Sequence, residues 1–140
     1  MNKKFILSLM TSLMVAMMSV AFTSCSSDDS DGGSGDNALV GTWRKIYSDG
    51  NEHSLTGSGV NWVFFKDGSM EENDIDDDGN IEENKTEYFK YKTENGHLYT
   101  MKQKEGKTYN WKDEGAYTIT GVILELTKDS GKVKRYQKIK

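Results

Sequence analysis

The fold class is decided by Thr86-Glu87-Tyr88-Phe89-Lys90-Tyr91-Lys92-Thr93-Glu94-Asn95-Gly96-His97-Leu98-Tyr99-Thr100-Met101-Lys102-Gln103-Lys104. Phe89 and Tyr91 fall on one side of an extended chain, and Tyr88, Lys90 and Lys92 fall on the other. Side chains alternate between the faces of a strand, so this pattern predicts one buried face and one wet face. Asn95-Gly96 then separates two extended runs. Both residues accept positive φ, as a two-residue hairpin turn requires. A strand over 86–93, a tight turn and a strand over 97–104 are expected.

The same pattern extends in both directions. Leu39 to Ser48 and Val60 to Lys66 are extended runs, the second ending in the turn Lys66-Asp67-Gly68-Ser69. Beyond Glu105-Gly106 come Thr108 to Lys112, Ala116 to Thr120, Val122 to Lys128 and Lys132 to Ile139. Tyr109 and Trp111 oppose Asn110 and Lys112. Tyr117 and Ile119 oppose Ala116, Thr118 and Thr120, and Leu124 and Leu126 oppose Glu125 and Thr127. Trp62-Val63-Phe64-Phe65 is apolar on both faces, so it is either covered twice or offers Val63 and Phe65 to a partner. No helix-length apolar stripe and no repeat follows residue 37. About eight short strands at close spacing predict an all-β domain, a sandwich or a small antiparallel up-and-down β-barrel; the barrel is the expectation.

The chain has 140 residues, a formal net charge of −4 and one cysteine. Met1-Asn2-Lys3-Lys4 is basic, Phe5 to Phe22 is apolar, and Thr23-Ser24-Cys25 closes the run. Such a pattern over 1–24 is expected to be a cleaved secretory signal. A retained membrane helix is the alternative, since the run is about long enough to span a bilayer. Cleavage removes Lys3 and Lys4 and no acid, leaving 16 basic residues against 22 acidic ones and a charge of −6. Ser26 to Asp36 holds no apolar residue, so 25–37 is expected to be a flexible acidic tether. The domain proper is then 38–140, enough for one small core. An acidic chain attracts phosphate backbones poorly, so no nucleic-acid partner is expected. A lone cysteine excludes an intrachain disulfide and any multi-Cys metal site.

Thr23-Ser24-Cys25 at the end of an apolar run resembles the lipobox of bacterial lipoproteins, with Phe22 where that family usually has Leu. The resemblance implies cleavage before Cys25 and lipidation of Cys25, a stable membrane anchor where two or more acyl chains are attached. Asp28, Asp29 and Asp31 resemble the surface-export signal of Bacteroidetes lipoproteins, which implies the outer face of the bacterial outer membrane. Leu39-Val40-Gly41-Thr42-Trp43-Arg44 resembles the first strand of lipocalin-like domains, which carries Gly-x-Trp. Val63-Phe64-Phe65-Lys66-Asp67-Gly68, Tyr117-Thr118-Ile119 and Leu124-Glu125-Leu126 are similar to segments of the small lipocalin-like domains of Bacteroidetes lipoproteins. That resemblance implies a lipocalin-like barrel whose floor is closed by Trp43, with Gly41 letting the backbone pass closely. The Thr-Asp-Tyr motif of larger lipocalins does not occur in the later strands.

Three groups of residues are candidate sites. Trp43, Trp62, Phe64, Phe89, Tyr91, Trp111 and Tyr117 either line an apolar ligand pocket or form the core. Residues 67–84 carry nine acids and no base. Within them, Asp74-Ile75-Asp76-Asp77-Asp78-Gly79-Asn80-Ile81-Glu82 matches the first nine positions of an EF-hand calcium loop, with side-chain oxygens at alternate positions and a glycine at the sharp turn. Asp74, Asp76, Asp78, Asn80 and Glu82 are therefore candidate calcium ligands, although Lys85 stands where the bidentate Glu belongs. The alternative is a solvated acidic loop. The basic tail holds Lys128, Lys132, Lys134, Arg135, Lys138 and Lys140; it reads as a lysine-guarded edge strand, or as a face toward anionic glycans or headgroups.

Catalysis finds no support: His53 and His97 lie at turns, and no nucleophile elbow, histidine pair or phosphate-binding glycine loop occurs. Asn84-Lys85-Thr86 forms a glycosylation sequon, incidental in a bacterial lipoprotein. The functional expectation is a monomeric, membrane-anchored, non-catalytic binder of a small apolar ligand, with no required cofactor. Its alternative is a packed barrel that binds a protein or glycan through the acidic loop or outer face, ordered by calcium.

Overall fold

The computed structural model describes residues 36–140. The signal segment, Cys25 and the tether up to residue 35 lie outside the described residues. The described residues form one compact unit.

Nine strands follow a short 3-10 turn at Asn37–Leu39: β1 (Gly41–Ser48), β2 (Asn51–Glu52), β3 (Gly59–Phe64), β4 (Ser69–Ile75), β5 (Ile81–Glu94), β6 (His97–Gln103), β7 (Lys112–Thr120), β8 (Ile123–Thr127) and β9 (Val133–Lys138). Each pairs antiparallel with its neighbour, and β9 pairs back onto β1. The sheet therefore closes in a ring, β1-β3-β4-β5-β6-β7-β8-β9, with β2 appended to the end of β1 at Tyr47 and Ser48. This is the all-β, up-and-down, barrel-like architecture that the alternation predicts. Closure gives every strand of the ring a partner on each side. The basic tail is thus not an edge strand, because β9 is hydrogen-bonded on both sides.

Two segments differ from expectation. The acidic stretch 67–84 is not a loop: 69–75 is strand β4, and 81 begins the 14-residue strand β5. Pairing overrides the low strand preference of its acids. Phe64 faces Met70 and Trp62 faces Glu72 across the ladder, while Met70, Asn73 and Ile75 are buried. Conversely, Thr108 to Trp111 is not a strand; it belongs to the β6–β7 connection.

Strand directions sort the connections into two ends. The first end holds the start of β1 and the β3–β4, β5–β6 and β7–β8 turns. It is closed from within by Leu39 and Trp43, both fully buried. The Trp43 indole nitrogen donates to the Leu39 carbonyl at 2.7 Å. Asp36 caps the 3-10 turn and accepts from the Tyr117 hydroxyl at 3.1 Å. Gly41 has φ +134°, and a Cβ there would collide with the Lys140 carbonyl oxygen, so the backbone does pass closely.

Inward positions build one core. Phe64, Tyr91, Leu98, Leu124, Leu126 and Tyr136 pack with Trp62 and Met70. Trp62 stacks on Tyr136 at 4.5 Å between centroids, and Phe64 meets Tyr91 edge-on at 4.9 Å. On the outer wall, buried Arg44 donates to the carbonyls of Ser54, Gly57 and Ser58 and to Asn61 Oδ1. It fastens the segment between β2 and β3 onto the barrel. Burial among these neutral acceptors pushes its guanidinium down from the ordinary value.

Candidate functional site

The second end carries the β4–β5, β6–β7 and β8–β9 connections, and here the interior is not filled. A cavity of about 470 Å³ opens there. Seven strands contribute to its wall, from Lys45 on β1 and Trp62 on β3 round to Lys134 on β9, so it lies inside the ring. Its apolar surface comes from Trp62, Met70, Phe89 and Tyr109. Its polar surface is charged: Lys45, Lys102, Lys112 and Lys134 against Glu72, Glu87 and Glu114.

A bulge puts two of these charges inside. Leu98 faces Gly115 across the β6–β7 ladder, but Tyr99 faces Asp113, so Glu114 is the extra residue. Beyond the bulge Tyr117 and Ile119 pack on the core; before it, Lys112 and Glu114 take the inward places. Bulges re-aim side chains in this way. Gly115 permits it, with φ +121° and no room for a Cβ, which would meet the Thr127 carbonyl oxygen at 2.6 Å.

The carboxylates are all engaged. Glu114 is nearly buried; it accepts from the Thr100 hydroxyl at 2.7 Å and lies 3.4 Å from the Lys112 ammonium. Glu87 pairs with Lys102 at 2.9 Å. Glu72 accepts from the Trp62 indole nitrogen. Two ammoniums are not so engaged: among the described residues Lys45 and Lys134 form no ion pair. Lys45 stands 6.0 Å over the Tyr136 ring. Burial first, then repulsion by Lys45, pulls the Lys134 ammonium below its ordinary pKa; Lys112 and Lys128 add to this and Glu114 opposes it. Behind the cavity wall, the Tyr136 hydroxyl is buried with no hydrogen-bond partner among the described residues. Its pKa is pushed well up by burial, helped by the charges of Glu72 and Glu114.

The seven aromatic candidates divide three ways. Trp62 and Phe89 reach the cavity. Trp43, Phe64 and Tyr91 are core, with Tyr117 packed against it. Trp111 is outside the ring, 38% exposed, with the Lys92 ammonium 4.8 Å from its ring. Phe65 is also exposed, past the end of β3, while Trp62 and Phe64 point inward.

The five calcium candidates fall on different elements. Asp74 is in β4, Asp76, Asp78 and Asn80 are in the turn, and Glu82 is in β5. Asp76 Oδ1 is occupied by the turn itself, accepting from the amides of Asp78 at 3.0 Å and Asn80 at 2.8 Å. Among the described residues no three His, Cys, Asp or Glu side chains are grouped to hold a metal ion.

His97 pairs with Asp113 at 3.0 Å on the outer side. Partial burial raises the Asp113 carboxyl, but the bonds from His97 and the Gly115 amide outweigh it and hold the group below its usual range. In the basic tail Arg135 pairs with Glu125 at 2.7 Å, and Lys138 lies 5.5 Å from the Trp43 ring.

Sequence reasoning missed Lys45, Lys102, Lys112, Glu114 and Tyr109 as site residues. Lys112 and Glu114 are turned inward by the β7 bulge, and Tyr109 enters from the β6–β7 connection. No family description, curated protein or solved structure matches the chain.

Proposed function

We propose that this chain is a lipid-anchored envelope protein, of the lipocalin-like kind, whose barrel binds a small and largely apolar molecule without transforming it. The single observation behind this reading is the cavity of about 470 Å³ inside one end of a ring whose other end is closed. That volume falls in the range of small-ligand sites, which are concave, mainly apolar and polar at a few points. Trp62, Met70, Phe89 and Tyr109 would cover the body of the ligand. The carboxylates there are held by Thr100, Lys102, Lys112 and Trp62, an arrangement suited to fixing a ligand rather than exchanging protons with it. The acyl anchor on Cys25 would place the barrel at the outer membrane surface as a monomer.

The test is a fragment screen read by amide NMR on residues 34–140. That compact unit has its own core and closed ring, the marks of a domain that folds alone. Binding fragments should shift Phe89, Thr100, Lys112 and Lys134. A library that shifts none of them, or only residues on the outer wall, overturns the reading.

A further inference from the structure

We propose that the cavity selects a small organic anion, with an aromatic or aliphatic body and one acidic group held between Lys45 and Lys134. This deepens the ligand-binding reading above and rests on it. The argument is one of charge accounting within the cavity wall. Each glutamate there has a partner: Thr100 and Lys112 hold Glu114, Lys102 holds Glu87, and Trp62 holds Glu72. Glu72's partner is a neutral indole N–H, so the account is closed by number: four ammoniums face three carboxylates, and the wall carries one excess positive charge. Lys45 and Lys134 pair with no carboxylate among the described residues and face the same cavity from adjoining strands β1 and β9. Two like charges on one partly desolvated wall repel, and an anion between them removes that repulsion while gaining two charge-assisted hydrogen bonds. The depressed ammonium of Lys134 reports the same strain. The acid can be a carboxylate, sulfonate or phosphate, since all three offer oxygens to two ammoniums. The adjoining Trp62, Phe89 and Tyr109 offer faces for an aromatic or aliphatic body.

The test uses residues 34–140 with two fluorescent probes. One is anilinonaphthalene sulfonate; the other is phenylnaphthylamine, which has the same aromatic body and no sulfonate. The sulfonate should bind at least about tenfold more tightly than the neutral probe. The double variant Lys45→Gln, Lys134→Gln should lose about tenfold or more on the sulfonate and stay within about twofold on the neutral probe. Lys45→Arg with Lys134→Arg should retain sulfonate binding. Equal affinity for both probes, or a Gln variant that binds the sulfonate as the parent does, overturns the anion selectivity and leaves the ligand reading standing. Binding of neither probe, with the fragment screen also blank, removes both. If the Gln variant does not fold, ionic strength decides: added salt must weaken sulfonate binding and leave the neutral probe unchanged, and the reverse sinks the proposal.

Discussion

The two ends of this barrel are built from the same strands and reach opposite outcomes. At the closed end, inward positions carry Leu39, Trp43, Phe64, Leu98 and Leu124, and no exposed surface remains to them beyond 1%. At the open end, Lys45, Glu72, Lys102 and Lys134 point inward from β1, β4, β6 and β9, and a cavity stays open. A barrel of about eight strands is narrow enough to be filled by its own side chains. Room inside it therefore depends on chemistry: charged side chains that keep their heads hydrated do not close a core. Close packing and open, charged space are divided along the barrel axis.

The sharpest way to break that division is at the floor. Trp43→Ala removes a fully buried ring and its hydrogen bond to Leu39, and should lower unfolding free energy by about 3–5 kcal/mol in a denaturant titration. A loss below about 1 kcal/mol would mean that the closed end is not the stabilising end.

Gly115→Ala sharpens the boundary between the ends. The variant forces a Cβ against the Thr127 carbonyl at a positive φ, with an expected loss of about 1–3 kcal/mol. It also disturbs the bulge that turns Glu114 and Lys112 inward. Amide shifts should therefore spread to Thr100 and Lys134 across the cavity, while Leu39 and Trp43 stay in place. Shifts confined to β7 and β8 would show that the bulge does not organise the cavity wall.

The packed core is far more legible in the sequence than the charged wall of the open end. Phe89 with Tyr91, Tyr117 with Ile119, and Leu124 with Leu126 announce their inward faces by simple alternation, and all six face the core. About eight strands are expected and eight close the ring, with the two-residue β2 a ninth, but the two sets of eight differ by one strand each. Thr108 to Trp111 alternates but pairs with nothing beyond a turn, and β4 pairs on both sides despite its acids. Alternation states which faces a strand would have; only partners decide whether the strand exists. The open end was hidden by bulges. Extending the alternation of Tyr117 and Ile119 backward puts Asp113 and Gly115 inside, and the extra residue at Glu114 reverses that. Lys134 could be read only as part of a basic tail, because nothing local shows that β9 closes onto β1.

Tyr136 lies where the two ends meet, its ring stacked on Trp62 and its hydroxyl buried without a partner among the described residues. Tyr136→Phe keeps the ring and removes the unsatisfied group. It should leave stability unchanged or raise it by about 1 kcal/mol, measured by thermal melts. A loss of similar size would reveal a partner for the hydroxyl and move the boundary of the polar end inward.

The smallest effect tests the open end by pH. Burial is the main influence on Lys134; Lys45 on β1 adds to it, Glu114 on β7 opposes it, and Lys112 on β7 and Lys128 beside β8 act with Lys45. Its pKa is lowered from 10.5 in the folded state. Between the lowered value and 10.5, the unfolded chain binds more protons than the folded one, so stability rises with pH through that window. Below the window the full penalty of the charged ammonium is present. Lys134→Gln removes the titrating group, so the variant should be at least as stable as the parent at neutral pH, with a flatter stability profile on the alkaline side. The same variant should bind anionic probes less well. A group that weakens the fold and strengthens binding is what a functional end requires; a variant that loses both would make Lys134 an ordinary member of the scaffold.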